Sequence, residues 1–259
     1  MEASYLAYTN YHDYPGGRKK LRVVVQVCRD LSESLGRPPR ILDIGCGNGS
    51  ITFPLASLGY PITGIDVSNA SISHAAGKCP FRNARFLAHD LSQSPLPERY
   101  DLIICSEVLE HLSDPSPLVK GMTGALEPGG IAVVTVPNGY GLREVMGRLE
   151  HGMRGSRLLT PAADLFRRLL GMKSAREKCL MHTSNPEQDH VQKFTPRQFT
   201  LLLSSHGLAV EGWVNSFWLL SLFGKANKGV GWLARLDSWL ADRLPAVYSS
   251  GWYVICRRR

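Results

Sequence analysis

The stretch Ile41-Leu42-Asp43-Ile44-Gly45-Cys46-Gly47-Asn48-Gly49-Ser50, with Gly64-Ile65-Asp66 after it, constrains the fold more than any other part of the chain. It reads as a short buried strand, a glycine turn, a helix and a second strand that ends in a carboxylate. Alternating Gly45, Gly47 and Gly49 let the backbone pass close to a ligand where side chains would collide. The helix that follows aims its unpaired N–H groups at the same place. Asp66 stands about 20 residues on, where such folds hold a ribose hydroxyl.

The glycine spacing narrows the ligand. A dinucleotide turn needs G-x-G-x-x-G. From Gly45 this chain runs G-x-G-x-G, and Ser50 occupies the third glycine's place. A phosphate loop needs a Lys-Ser or Lys-Thr pair, which is missing here. Asp43, two residues before the first glycine, suits a ligand with a cationic end better than a pyrophosphate.

The pattern continues along the chain. A helix over about 17–36 carries Leu21, Val24, Val25, Cys28 and Leu31 on one face, and Pro38-Pro39 stops it. Strands follow at Ile41–Ile44, Ile62–Asp66, Arg85–Ala88, Asp101–Cys105 and Ile131–Val136. Between them lie helices over about 48–58, 69–78, with Ser68 or Asn69 as cap, and 115–126, plus a short helix from Glu107 to Leu112. Pro128-Gly129-Gly130 reads as a tight turn. Short, wholly apolar strands alternating with helices imply a parallel sheet covered on both faces. Ligands then sit beyond the carboxyl ends of the strands, where Gly45–Gly49, Asp66, Asp90, Ser106-Glu107 and Pro137-Asn138 fall. After Asn138 about 50 residues pass before Thr195 and Pro196 open a further helix. A sixth strand at Gly207–Val214, a helix over about 225–244 and a last strand at Trp252–Cys256 complete the reading.

These features together resemble the class I S-adenosylmethionine (SAM)-dependent methyltransferases. D-x-G-x-G-x-G at Asp43–Gly49 is similar to that family's motif I. Ala88-His89-Asp90-Leu91, Tyr100-Asp101-Leu102-Ile103 and Leu126-Glu127-Pro128-Gly129-Gly130 resemble its third strand, its fourth strand and the turn before its fifth. The resemblance implies a Rossmann-like α/β fold: a seven-stranded, mostly parallel sheet with helices on both faces, its last strand antiparallel, and a helical insertion after strand five. It divides the chain into an N-terminal helical cap (1–38), a SAM-binding core (39–138), an insertion or lid (139–189) and the rest of the fold (190–259). Carried over position by position, it puts the cofactor on Asp43, Gly45, Cys46, Gly47, Asn48, Gly49, Asp66, Val67, Asp90, Leu91 and Ser106.

Ser106-Glu107-Val108-Leu109-Glu110-His111-Leu112 and Asp189-His190-Val191-Gln192-Lys193-Phe194 narrow the resemblance further. They are similar to segments of the ubiquinone-biosynthesis O-methyltransferases and, more distantly, of the small-RNA 2′-O-methyltransferases. On a helix Glu107, Glu110 and His111 share a face, and with His190 they make a candidate site for a divalent cation such as Mg2+. In a second reading His111 or His190 is a general base without metal and Glu107 lines the cleft. Catalysis is thus assigned to His111, Glu107 and His190. The reaction implied is O-methylation of a small acceptor, a lipid-tailed phenol or a sugar. An RNA 2′-O-methyltransferase and a non-catalytic SAM-binding protein are the competing functions.

Composition adds bounds. The 259 residues, 44% of them hydrophobic, fit one large domain or one with an insertion. Six scattered cysteines without a C-x-x-C pair read as buried free thiols and fit a reducing, cytoplasmic setting. The start of the chain lacks the pattern of a signal peptide. Net charge is +8, and Gly139–Lys178 holds nine Lys/Arg against four Asp/Glu. With Leu165, Phe166, Leu169 and Leu170 around Arg167-Arg168, that segment can act as a substrate lid, a peripheral membrane contact or a solvated basic helix. Tyr5, Tyr8, Tyr11 and Tyr14 either close over the site or pack at the domain edge.

Overall fold

The computed structural model describes residues 15–140, 191–217 and 231–259. The readings for Tyr5–Tyr14, for the insertion beyond Tyr140 and for His190 lie outside the described residues. Numbered among these, the elements are α1 (Pro15–Leu35), β1 (Ile41–Ile44), α2 (Thr52–Ser57), β2 (Ile62–Asp66), α3 (Asn69–Lys78), β3 (Ala84–Ala88) and β4 (Tyr100–Ser106). Then come α4 (Ser116–Ala125), β5 (Leu126–Pro137), α5 (Pro196–Ser205), β6 (Leu208–Asn215), α6 (Gly231–Ala241) and β7 (Gly251–Arg258).

One sheet of seven strands has the order β3-β2-β1-β4-β5-β7-β6. The first five are parallel, and β7 runs antiparallel between β5 and β6. The C-terminal strand is therefore interior, and β6 forms the edge. Because β1 has β2 on one side and β4 on the other, the crossovers leave in opposite directions there and open a crevice at its carboxyl end.

Two apolar clusters cover the two faces, and the strands divide between them with a period of two. Leu102 and Ile104 face Leu21, Val24, Cys28 and Leu31 of α1 and Leu55 of α2. Ile103 and Cys105 face Val119 and Met122 of α4 and Phe199 and Leu203 of α5. Residues 102–105 are fully buried, each apolar side chain contributing about 1.5–3 kcal/mol. This explains the unbroken apolar run of β4.

The helix ends follow local chemistry. Gly36, at φ 65°, ends α1 in the left-handed conformation, two residues ahead of the prolines. Ser68 caps α3 through a bond accepted from the Ser71 N–H. Thr195 and Gln198 form a reciprocal capping box on α5. Two expectations need correction. The segment 107–112 is not a helix, only a 3-10 turn at Leu109–His111. Pro128-Gly129-Gly130 lies within β5, which begins at Leu126.

Candidate active site

The glycine turn leaves β1 in a conformation that glycine alone adopts cheaply. Gly45, Gly47 and Gly49 have φ of 67°, 52° and 86°. A Cβ on Gly45 would stand 2.4 Å from Val108 Cγ2, so the turn sits directly against the loop after β4. A Cβ on Gly47 would meet nothing within 4 Å. Gly45 is thus required for packing, and Gly47 gives backbone access from the cleft.

Asp66 ties this turn to the end of β2. Its Oδ2 accepts from the Gly47 N–H at 3.0 Å and its Oδ1 from the Ser68 N–H at 2.9 Å. Each oxygen keeps a lone pair for a further donor. Val67 beside it is apolar and 71% exposed. Asp90, after β3, holds the next loop through Ser92 N–H (2.9 Å) and Ser92 Oγ (2.6 Å), and Leu91 is buried against α4.

Asp43 occupies a different position. It is 1% exposed, beneath the turn, and accepts from Thr52 Oγ1 at 2.6 Å. Burial raises its pKa to about 7, with Thr52 opposing and Asp66 adding to the rise. Cys46 is also buried, and burial pushes its thiol well above the ordinary range. It packs against Gly64 and is an inert thiol.

The carboxyl end of β4 holds a network that sequence reasoning missed. Lys20, on α1, is 7% exposed, and its Nζ lies 2.8 Å from Ser106 Oγ and 3.4 Å from Glu107 Oε1. Thr135 donates to Glu107 Oε1 at 2.8 Å and bonds Ser106 Oγ at 3.0 Å. The apolar stripe of α1 gave no sign that a neighbouring lysine turns inward.

The candidate cation ligands are not brought together as expected. Glu107, at φ 57°, is the one left-handed non-glycine among the described residues, and it precedes the 3-10 turn. The shared helical face of Glu107, Glu110 and His111 is therefore absent. Glu110 is 1% exposed and 4.0 Å from His111 Nε2, and among the described residues neither of its carboxyl oxygens has a hydrogen-bond partner. Burial first, then Glu107, raises its pKa, which favours the neutral acid. Among the described residues no group of three His, Cys, Asp or Glu is placed to hold a metal ion.

Gln192 docks the returning chain on this turn, its N–H bonding Glu110 O at 2.9 Å and its Nε2 bonding Ser113 O at 2.6 Å. Opposite, Asn138 closes the end of β5 by donating to Val247 O and Ser249 O. Tyr140, Leu236, Trp239, Val247 and Tyr248 are exposed apolar side chains. Asn138 ties the loop bearing Val247 to the carboxyl end of β5, and Asn215 ties the end of β6 to Ala241 of α6. These contacts put the 246–248 turn and the end of α6 at the carboxyl rim, on the side of the sheet away from Asp66.

A mostly parallel sheet with an interior antiparallel β7, a glycine turn after β1 and an acid after β2 define the class I methyltransferase architecture. The profile of the Methyltransferase domain family matches residues 18–211, and the chain belongs to that family. It is similar to the ubiquinone biosynthesis O-methyltransferase of Rickettsia felis, 31% identical over 100 residues, covering 38% of this chain and 41% of the relative. The corresponding protein of Caulobacter sp. K31 is 33% identical over 117 residues, covering 40% of this chain and 44% of the relative. The chain thus spans less than half the length of these curated relatives. In fold it is similar to a SAM-dependent methyltransferase of Mesorhizobium loti, with TM-score 0.54, 18% identity and coverage of 85% and 91%. The N-methyltransferase NodS of Bradyrhizobium japonicum WM9, in complex with S-adenosyl-L-homocysteine (SAH), gives TM-score 0.52, 17% identity and coverage of 95% and 89%.

Proposed function

We propose that this chain transfers the methyl group of SAM to a hydroxyl of a small acceptor with an apolar part. The bond from Gly47 N–H to Asp66 carries this reading, because it joins the turn and the acid into one cradle at the crevice beside β1. The residues present fit SAM. Asp66 would accept from the ribose hydroxyls, Val67 would cover the adenine, and the Lys20 ammonium would meet the methionyl carboxylate. When bound, SAM supplies an electrophilic methyl group on a cationic sulfur.

The protein's own part is alignment and proton removal. Holding the hydroxyl in line with the methyl group replaces an encounter by a positioned reaction. Taking its proton falls to His111, on the turn that Gln192 braces, with His190 as the other candidate. No step requires the cation site, since the described ligands do not assemble one. The exposed apolar rim of Tyr140, Val247 and Tyr248 supports an acceptor with a hydrocarbon tail. The R. felis and Caulobacter proteins bear the name ubiquinone biosynthesis O-methyltransferase, which agrees with O-methylation.

Incubation with methyl-deuterated SAM and an acceptor panel tests this reading. The panel pairs a prenylated catechol with the bare catechol, and adds a sugar and a single-stranded RNA. The expected product is an O-trideuteromethyl ether, formed faster on the prenylated ring. Methylation of the RNA alone would move the assignment to the 2′-O-methyltransferases. Methyl transfer to none of them, by a protein that binds SAM, would contradict it.

A further inference from the structure

β5 is apolar along its interior except at Thr135, which lies between Val134 and Val136 and is 1% exposed. Three of its bonds reach the site from beneath. Its carbonyl accepts from the Glu107 N–H at 3.0 Å, its Oγ1 donates to Glu107 Oε1 at 2.8 Å, and the same oxygen bonds Ser106 Oγ at 3.0 Å.

Counting protons gives this cluster a direction. A carboxylate only accepts, so the single Thr135 hydroxyl proton goes to Glu107. The Ser106 hydroxyl proton must then go to Thr135, and Ser106 accepts from the Lys20 ammonium at 2.8 Å. Lys20 also reaches Glu107 Oε1 at 3.4 Å, which closes the ring. Glu107 takes part only because its backbone is turned to φ 57°, a conformation that must be held from outside. Thr135 holds it through both backbone and side chain.

We propose that Thr135 is a positioning residue for the amino-acid end of SAM. It fixes Ser106 and Glu107, and through them it sets the Lys20 ammonium opposite the methionyl carboxylate. This rests on the reading that SAM occupies the cleft. Thr135, 1% exposed, acts through Ser106 and Glu107, and its effect is selective for ligands that carry the carboxylate.

Titration calorimetry with two ligands tests it without a known acceptor. SAH carries the amino-acid end, and 5′-methylthioadenosine has the same nucleoside and sulfur without it. Thr135→Val should weaken SAH about fivefold or more and leave methylthioadenosine within about twofold. Thr135→Ser keeps the hydroxyl and should bring SAH back to within about twofold of the wild type. In a Glu107→Gln background Thr135→Val should add less than about twofold, and Lys20→Met should reproduce the SAH-selective loss. Equal weakening of both ligands, or no restoration by serine, overturns the positioning role. An unchanged SAH-to-methylthioadenosine ratio does the same while leaving the cofactor reading intact. A wild type that binds neither ligand overturns both.

Discussion

Asp43 shows how a residue legible in the sequence can have an illegible task. Its place before the glycines marked it as a ligand contact, but the side chain is buried against Thr52 and its pKa is raised to about 7. The sign of the consequence is fixed. The native state holds this proton up to about pH 7, whereas an unfolded Asp releases it near 3.9. Native protein therefore binds more protons between about pH 4 and 7, and stability falls as pH rises through that window. Urea unfolding from pH 5 to 7 should show wild-type stability falling by about 1–2 kcal/mol more than in Asp43→Asn, since one group contributes at most about 1.4 kcal/mol per pH unit. Parallel curves would show that Asp43 ionises normally in its pocket. Asp101 acts in another range. Burial pushes its carboxyl up, but the Arg37 fork and the Arg40 N–H outweigh that and hold it low. Its contribution is lost only as pH falls below about 4. Lys20 and Thr135 were unreadable in the sequence for one reason. Side-chain direction within a buried network is a tertiary property, and a lysine beside an apolar stripe reads as solvated until the partner strand is known.

At the scale of elements, the local signals that worked each carry their own mechanism. Thr195 and Pro196 placed the start of α5 correctly, because a cap satisfies backbone donors whatever the helix packs on. Thr195→Ala should lower stability by about 1 kcal/mol, read from the urea midpoint, with SAH affinity unchanged. A loss below about 0.3 kcal/mol would mean that packing alone holds that end. Gly45 carries a sharper expectation. Alanine there meets both a left-handed φ and Val108 Cγ2 at 2.4 Å, so Gly45→Ala should cost about 2 kcal/mol or more and displace the loop after β4. Variant stability equal to the wild type would contradict the observed packing of the turn. The expected helix at 107–112 failed for a physical reason. The spacing Glu107, Glu110, His111 fits a helical face, but Glu107 stands at φ 57°, outside the right-handed helical region, so no helix starts there. The Thr135 carbonyl takes the Glu107 N–H instead, and only a 3-10 turn remains.

Across the whole molecule, the parallel core was readable because buried strands leave apolar runs, as β4 does at Leu102–Cys105, whereas the edge strand β3 is partly exposed and carries Arg85. The place of β7 between β5 and β6 was not, since strand order depends on pairings between distant segments and not on local pattern. The same limit separated the two halves of the site. The glycine turn and Asp66 lie on consecutive elements and were legible, whereas the proposed acceptor side draws on the ends of β5 and β6, α6 and the 246–248 turn. Methyl transfer should continue within about twofold of its rate in EDTA, because the described acids and His111 do not form a cation site. A loss restored by Mg2+ would return Glu107, Glu110, His111 and His190 to that role. In the proposed function SAM sits on the Gly45–Gly49 turn with its ribose on Asp66. SAH titration of the wild type and of Asp66→Ala by calorimetry tests it most directly. The wild type should bind saturably and one to one, and the variant at least about tenfold more weakly, the equivalent of about 1.4 kcal/mol for the lost acceptor. Equal affinity of the two proteins for SAH would contradict it.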